Sequence, residues 1–502
     1  MIWPFNLKSE PKVIIKEVEK IVYKRSFNAA KIDRLNQDFV SAVAKINEDI
    51  RGSLTNLRGR SRTLAQNNDY YIRALSLWCN YVVGPQGQTL VSRIRDLNGE
   101  QDKTANILVE SGWKDFCKKK NFTLNNQQTF HSFQAQCAYT FARDGEVFIR
   151  KIKGKEYKHG MTLQVIDADF LDETYYNDKL NNGNQIYQGI EIDPIGNIIG
   201  YHFNDPKEVK NNTYMGLNKG GKRKFYGADE IIHWFNKVES NQYRGFPVFQ
   251  NLLIALFGLS ELNESEMVAF RAASCKMGFI EQEFPDENLS AGFGTVEDEN
   301  GNTIDEIQAG LVQKLNRGEK FVGYNPDHKS GNWETFSRGI LRSAASGSGF
   351  PYCLIANDYS GMDADSVRLQ INDVRDFAVT KQRLMCDDLI DPIFEDWLPL
   401  SIISDEIKLP IAKIDKFMEH EFRGRPFQAL RPLEEAQANQ IMWDTGGNSR
   451  TNYHRGLNLD TDDIFSELGH EEDLSQFYKI PLRNQGGTSA DNIGKGGMNG
   501  KV

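Results

Sequence analysis

The sequence predicts an α+β fold, with helices and sheet in separate regions of the chain. Three observations predict it. Apolar residues recur at helical spacing, with capping residues, ahead of residue 144. Short alternating segments bounded by turn residues fill 146–235. Two long helical stretches follow Pro247. At 502 residues the chain exceeds one usual core, so two to four structural units are expected.

Taken in order, residues 11–24 place Ile14, Val18, Ile21 and Val22 near helical spacing among Lys and Glu. This is either a short amphipathic arm or a surface helix of the main body. Residues 36–80 read as helix, with Asn67-Asn68-Asp69 offering a cap just before Tyr70, and Val82 to Gly87 ending it. Residues 105–143 read as helix again, with a turn near Asn125-Asn126. From Asp144 the segments 146–150, 163–166, 189–193 and 198–203 read as antiparallel strands, with Pro194-Ile195-Gly196-Asn197 as a hairpin turn and a last strand at 231–235.

Pro247 is a natural first-turn residue, so a long helix is expected from there to about Ala273, its apolar stripe including Phe249, Leu252, Leu253, Leu256, Phe257, Met267 and Phe270. A helix over 333–346 should break at Gly347-Ser348-Gly349-Phe350-Pro351. A second long helix should run from about Asp365 to Asp391, capped by Asp363 or Asp365 and disturbed by Pro392. Residues 432–475 read as short helices broken at Gly446-Gly447 and Gly456. The tail from 481, with six glycines between 486 and 500, buries too little to offset its ordering entropy.

Composition narrows the function. Mean hydropathy is −0.53, yet 30 Phe and 18 Tyr suffice for real cores. Net charge is −9, whereas proteins that grip nucleic acid through its phosphates are normally basic. An anionic wall instead suits passage of DNA without adhesion. The six Cys form no CxxC pair and read as reduced, apolar side chains, and no His or second Cys stands at zinc spacing. The start is too interrupted for a signal segment and no apolar run approaches membrane-spanning length, so a protein made in the cytosol without a membrane partner is expected. Residues 281–313 hold nine acidic residues and no Lys, Arg or His. They read either as a solvated loop or as a surface for docking or lining a pore.

Positive grounds for catalysis are few. Asp167-Ala168-Asp169 has the carboxylate spacing of metal-dependent glycosyltransferases, and Asp363-Ala364-Asp365 repeats it. Such triplets arise often in a chain with 69 acids, and a strand edge or cap explains both. If the strand before Asp167 continued, alternation would send both carboxylates to one face. His233, among Ile231, Ile232, Trp234 and Phe235, reads as a satisfied, partly buried histidine rather than a base or ligand. There is no nucleophile elbow, HExxH or P-loop, and no GxGxxG set between strand and helix. No catalytic residue, metal or cofactor is assigned. The alternative is a metal-dependent transferase or hydrolase using Asp167 and Asp169.

Six motifs in order resemble the lambda-type family of tailed-bacteriophage portal proteins. They are Leu57-Arg58-Gly59-Arg60-Ser61-Arg62-Thr63-Leu64 with Val82-Val83-Gly84; Asp144-Gly145-Glu146; Gln164 to Leu171 with Asp167-Ala168-Asp169; Gly189 to Asp193 with Gly196 and Gly200-Tyr201; Ala228 to His233 with Asn241-Gln242-Tyr243-Arg244-Gly245-Phe246-Pro247; and Gly349-Phe350-Pro351-Tyr352 with Asp358-Tyr359-Ser360 and Ser366-Val367-Arg368. Gln66 replaces an expected basic residue, and Gly361 to Asp365 replaces an Asn-Tyr-Ser type of run.

The resemblance implies a portal-type fold in a ring, usually of twelve subunits, at one capsid vertex. On that plan residues 1–30 are an N-terminal arm and 31–246 the wing. The first stem helix is 247–274, the clip 275–332 and the second stem helix 333–350. A tunnel loop, 351–364, precedes a bracing helix and wing return, 365–431, then the crown, 432–480. Asn357, Asp358, Tyr359, Ser360, Gly361, Met362 and Asp363 would line the channel, and Glu297, Asp298, Glu299, Asp305 and Glu306 would dock partners at the clip. The implied partners are terminase, major capsid and scaffold proteins, head-completion and tail adaptor proteins, and double-stranded DNA passing without sequence specificity. The implied location is the virion vertex, reached from the host cytoplasm during assembly.

Overall fold

Asn68 interrupts the first helical region and restarts it. Helix Ile46–Asn67 ends there, and the Asn68 carboxamide caps helix Asp69–Val82 by accepting from the Tyr71 N–H. The computed structural model describes residues 46–96, 98–204, 222–274, 333–457, 459 and 461–478, together with the backbone of strands Gly278–Gln282, Thr295–Glu297, Thr303–Asp305 and Glu319–Gly323. The expected arm at 1–30, the tail at 481–502, and Asp298, Glu299 and Glu306 lie outside the described residues. Glu297 and Asp305 fall on two short antiparallel strands, in the pairs Glu297↔Thr303 and Thr295↔Asp305.

Helices Lys103–Phe116 and Phe130–Asp144 flank a turn in which Asn126 takes a positive φ. A capping box between Thr129 and Ser132 starts the second, and Gly145 ends it in the left-handed region. Strand Glu146–Lys153 lies between Met161–Ile166 and Ile231–Phe235 in a three-stranded antiparallel sheet. Strands Gln185–Tyr187, Ile190–Ile192, Ile198–Asn204 and Arg223–Gly227 form a four-stranded meander. Its expected hairpin is closed by Asp193, whose Oδ1 accepts from the N–H groups of Ile195, Gly196 and Asn197.

Alternation along strand 146–153 joins two cores. Val147 and Ile149 pack into the large helical core, while Phe148 faces a smaller one with Ile190, Tyr201 and Phe203.

Three expectations need correction. The helix expected from Pro247 begins at Gln250; residues 247–249 make a turn that buries Phe249. Its stripe is buried only at the start. Leu252, Leu253 and Leu256 are core, whereas Phe257, Met267 and Phe270 are each 55% exposed in the single chain. Of the readings open for Asp167 and Asp169, the cap holds: the strand stops at Ile166, and Asp167 caps a 3-10 turn over Ala168–Phe170. Tyr352–Ile355 is a buried helical turn, so the free part of the 351–364 connection starts at Ala356.

Helix Trp333–Ser346 stands as expected, and Asp363 caps helix Ala364–Met385 through the Ser366 N–H. Pro392 acts one turn earlier than its own position. It has no N–H to donate back to residue 388, and the chain passes through a π-turn at Cys386–Ile390 before helix Asp391–Ile403. Helices Pro432–Asp444 and Arg450–Gly456 bury no residue within the chain, and helix Thr461–Tyr478 follows them.

Candidate functional site

Charged residues from widely separated segments converge beneath the first helix. Arg58 and Arg62 lie one turn apart on its inner face. Asp144 ends a helix, Glu146 opens the central strand, and Asp167 and Asp169 sit on the capped turn that follows the next strand. Glu173 and Arg244 complete the set.

Arg58 donates from Nη2 to Glu146 Oε1 at 2.8 Å, and from Nη1 to Glu173 Oε1 at 2.8 Å and Asp169 Oδ1 at 3.0 Å. Arg62 forks onto Asp144, with Nε to Oδ1 and Nη2 to Oδ2 both at 3.0 Å, and also reaches Asp167 and Asp169. Arg244 donates from Nε to Glu146 Oε2 at 2.9 Å and from Nη2 to Glu173 Oε1 at 3.0 Å. Arg143 pairs with Asp144 at 2.7 Å. Burial alone would raise the Glu146 carboxyl, but Arg244, His233 and Arg58 outweigh it and hold the group well below the usual carboxylate range.

His233 sits at the edge of this network. Its ring stacks on Phe148 at 4.2 Å and on Phe235 at 4.5 Å, and its Nε2 lies 3.3 Å from Glu146 Oε2. Burial pushes the imidazole below its ordinary value, so the ring is neutral and donates from Nε2 to the ionised Glu146. Nδ1 has no partner among the described residues.

Two glycines let these segments meet. Gly145 has φ +91°, and a Cβ there would fall 2.1 Å from the Phe246 carbonyl carbon; a Cβ on Gly245 would fall 2.1 Å from the Gly145 oxygen. The backbones before Glu146 and after Arg244 thus cross in direct contact.

The network holds four guanidiniums and five carboxylates, and no carboxylate is left without a cation. Arg62 bridges Asp167 and Asp169, and Arg58 takes Asp169 as well. No group of three or more potential metal ligands occurs among the described residues. The arrangement is a closed network of ion pairs that joins the first helix, the central strand and the segment before helix 250–274. Most of its members stand in the motifs quoted above, yet sequence reasoning gave Arg58, Arg62 and Arg244 no role. Glu173 carried no sequence signal.

The Asn357–Asp363 connection is held by its own acids. Asp358 accepts from Tyr352 Oη at 2.7 Å and from the Ser360 N–H at 3.0 Å, and Arg338 on helix 333–346 reaches Ser360 Oγ at 3.0 Å and Asp358 at 3.4 Å. Hydrogen bonds from Ser360 and Tyr352 hold the Asp358 carboxyl well below the usual range. Asn357 and Gly361 take positive φ, Tyr359 is exposed, and Met362 packs on the core.

Comparison with known proteins gives a consistent set of similarities. The profile of the lambda family of phage portal proteins matches residues 33–382. The probable portal protein of Halomonas phage phiHAP-1 is 27% identical over 471 residues, covering 92% of this chain and 88% of that protein. Portal protein B of Escherichia phage lambda is 20% identical over 428 residues, covering 78% of each. Among solved structures, a chain in the neck of an empty gene transfer agent particle aligns with TM-score 0.43 and 12% identity over 80% of this chain and 93% of that one.

Proposed function

Because this chain belongs to the lambda family of phage portal proteins, we propose that it acts as one of twelve subunits of a closed ring through which double-stranded DNA is packaged and ejected. As a portal protein it is a structural component of the virion, not an enzyme.

One observation carries the ring. Helices 250–274 and 333–346 leave Ile254, Phe257, Val268 and Phe336 exposed, and no residue of the helices at 432–444 and 450–456 is fully buried in its own subunit. Large apolar side chains left exposed along these helices are surface that a contact with another chain would cover. A ring covers it through heterologous contacts, in which one surface meets a different surface of the next copy.

In this reading the paired helices are the stem, the strands between them belong to the clip, and residues 432–480 form the crown. The charge network keeps the wing rigid while the ring bears load. The clip acids, Glu297, Asp298, Glu299, Asp305 and Glu306, receive basic surfaces of terminase and later of head-completion and tail adaptor proteins. The wing meets the capsid and scaffold proteins. Residues Asn357 to Asp363 face the channel, and assembly takes place in the host cytoplasm. Particle mass in solution tests the central claim: a closed ring of about twelve copies is expected, and a chain that stays monomeric at micromolar concentration in every salt overturns it.

A further inference from the structure

A groove of about 400 Å³ opens beside the segment that leads into residues 432–480, lined by Pro85, Gln86, Arg375, Arg425, Pro426 and Phe427 among others. Arg375 and Arg425 both lie against the Phe427 ring, at 5.4 and 5.6 Å from its centroid. Each is fixed by a carbonyl: Arg375 Nη2 donates to Gln428 O at 2.7 Å, and Arg425 Nη1 to Asn80 O at 2.6 Å. Among the described residues neither has a carboxylate partner, in a chain whose net charge is −9. A guanidinium carries five N–H donors. Most of those donors are therefore held in place and unused, beside an aromatic face.

Helix Thr461–Tyr478 has the opposite character. It carries six acidic residues and no Lys or Arg. Glu467 and Glu471 are exposed, have no cationic partner among the described residues, and stand one turn apart. Leu474 and Tyr478 continue the same face at helical spacing, and both are exposed. The residues lining the groove include none from this helix, so its own subunit leaves the groove open.

We propose that the Arg375–Arg425 groove receives helix 461–478 of a neighbouring copy of the chain. Glu467 and Glu471 pair with the two guanidiniums, and Leu474 and Tyr478 lie along the Phe427 side. The contact is heterologous, as ring closure requires, and it deepens the ring reading on which it rests. The charged pairs set its register and make it sensitive to salt.

Charge exchange in the full-length chain tests it, read as the protein concentration for half-assembly by light scattering. Glu467→Arg with Glu471→Arg changes exposed side chains that have no ion pair among the described residues, and should raise that concentration about tenfold. Arg375→Glu with Arg425→Glu should do the same. The four changes together should return assembly to within about threefold of the parent. Glu variants that assemble like the parent overturn the contact while leaving the ring intact. So does a fourfold variant that recovers nothing although its circular dichroism matches the parent. Binding of a short DNA duplex that the Arg changes abolish and the Glu changes spare would reassign the groove to phosphate. A parent chain that never assembles sinks the ring reading itself.

Discussion

Arg244 and Glu146, 98 residues apart in the chain, meet with both side chains wholly withdrawn from solvent, Nε donating to Oε2 at 2.9 Å. Arg58 takes the other side of the same carboxylate. One buried anion therefore ties the first helix, the central strand and the segment entering the long helix.

Removing that anion leaves two buried guanidiniums short of a partner. Glu146→Ala should cost about 3–5 kcal/mol, read as a lower midpoint in urea. Glu146→Leu with Arg244→Leu should cost less than the single change, because no new unpaired charge is created at Arg244 and Arg58 keeps Asp169 and Glu173. A double variant as unstable as the sum of both singles would refute this pairing.

The crossing at Gly145 and Gly245 admits no side chain. Gly145→Ala or Gly245→Ala should lower stability by more than about 3 kcal/mol. Gly258→Ala, inside helix 250–274 with nothing within 4 Å of an added Cβ, should raise it by about 1 kcal/mol. Thermal unfolding of the three variants in parallel gives the ranking.

Acid should loosen the joint in two steps. Burial holds His233 below its ordinary 6.5, so the unfolded chain takes up the proton first, and stability that is full above pH 6.5 declines as pH falls below it. Burial depresses His159 and His202 as well, which adds to this step. His420 opposes it: Asp391 outweighs burial and raises the imidazole, so its contribution is present below 6.5 and fades above. Glu146 adds the second step below its ordinary 4.5. His233→Phe keeps the stack and should reduce the fall in stability between pH 6.5 and 5.5, measured as urea midpoints at fixed ionic strength. An unchanged slope would show that His233 takes no part.

The channel reading of the 357–363 connection predicts a separation of assembly from transport. Asp358→Lys with Asp363→Lys should leave particle mass unchanged and slow DNA packaging several-fold, since lysines on a ring add attraction to phosphates. Arg338→Ala frees the connection without adding cations, and should cost no more than about 1 kcal/mol of stability. Packaging at the normal rate in the double Lys variant would place the connection away from DNA.

The clip reading predicts a loss of partner binding. Replacing Glu297, Asp298 and Glu299 with Ser should weaken binding of a basic partner such as terminase and flatten its salt dependence, measured by surface plasmon resonance. Unchanged affinity would reduce the segment to a solvated loop.

Much of the fold was legible because its causes are local. Asn68 and Asp363 cap helices through their own side chains, Asp193 closes a hairpin within four residues, and Gly145 ends a helix with a backbone that other residues rarely adopt. Periodicity placed the strands, and motif order gave the family. What the sequence left open depends on contacts through space. The apolar stripe of helix 250–274 looks continuous in sequence, yet Leu252, Leu253, Leu256 and Leu259 are buried within the subunit while Phe257 and Met267 stay exposed. Asp167 and Asp169 read as a possible metal pair until Arg62, more than a hundred residues away, is found between them. Glu173 carries no pattern at all and still joins Arg58 to Arg244. A capped turn is decided by neighbours in the chain, whereas a buried ion pair is decided by which surfaces the packed core brings within about 3 Å. The fold class and the family followed from the first kind of constraint, and the joint beneath the first helix from the second.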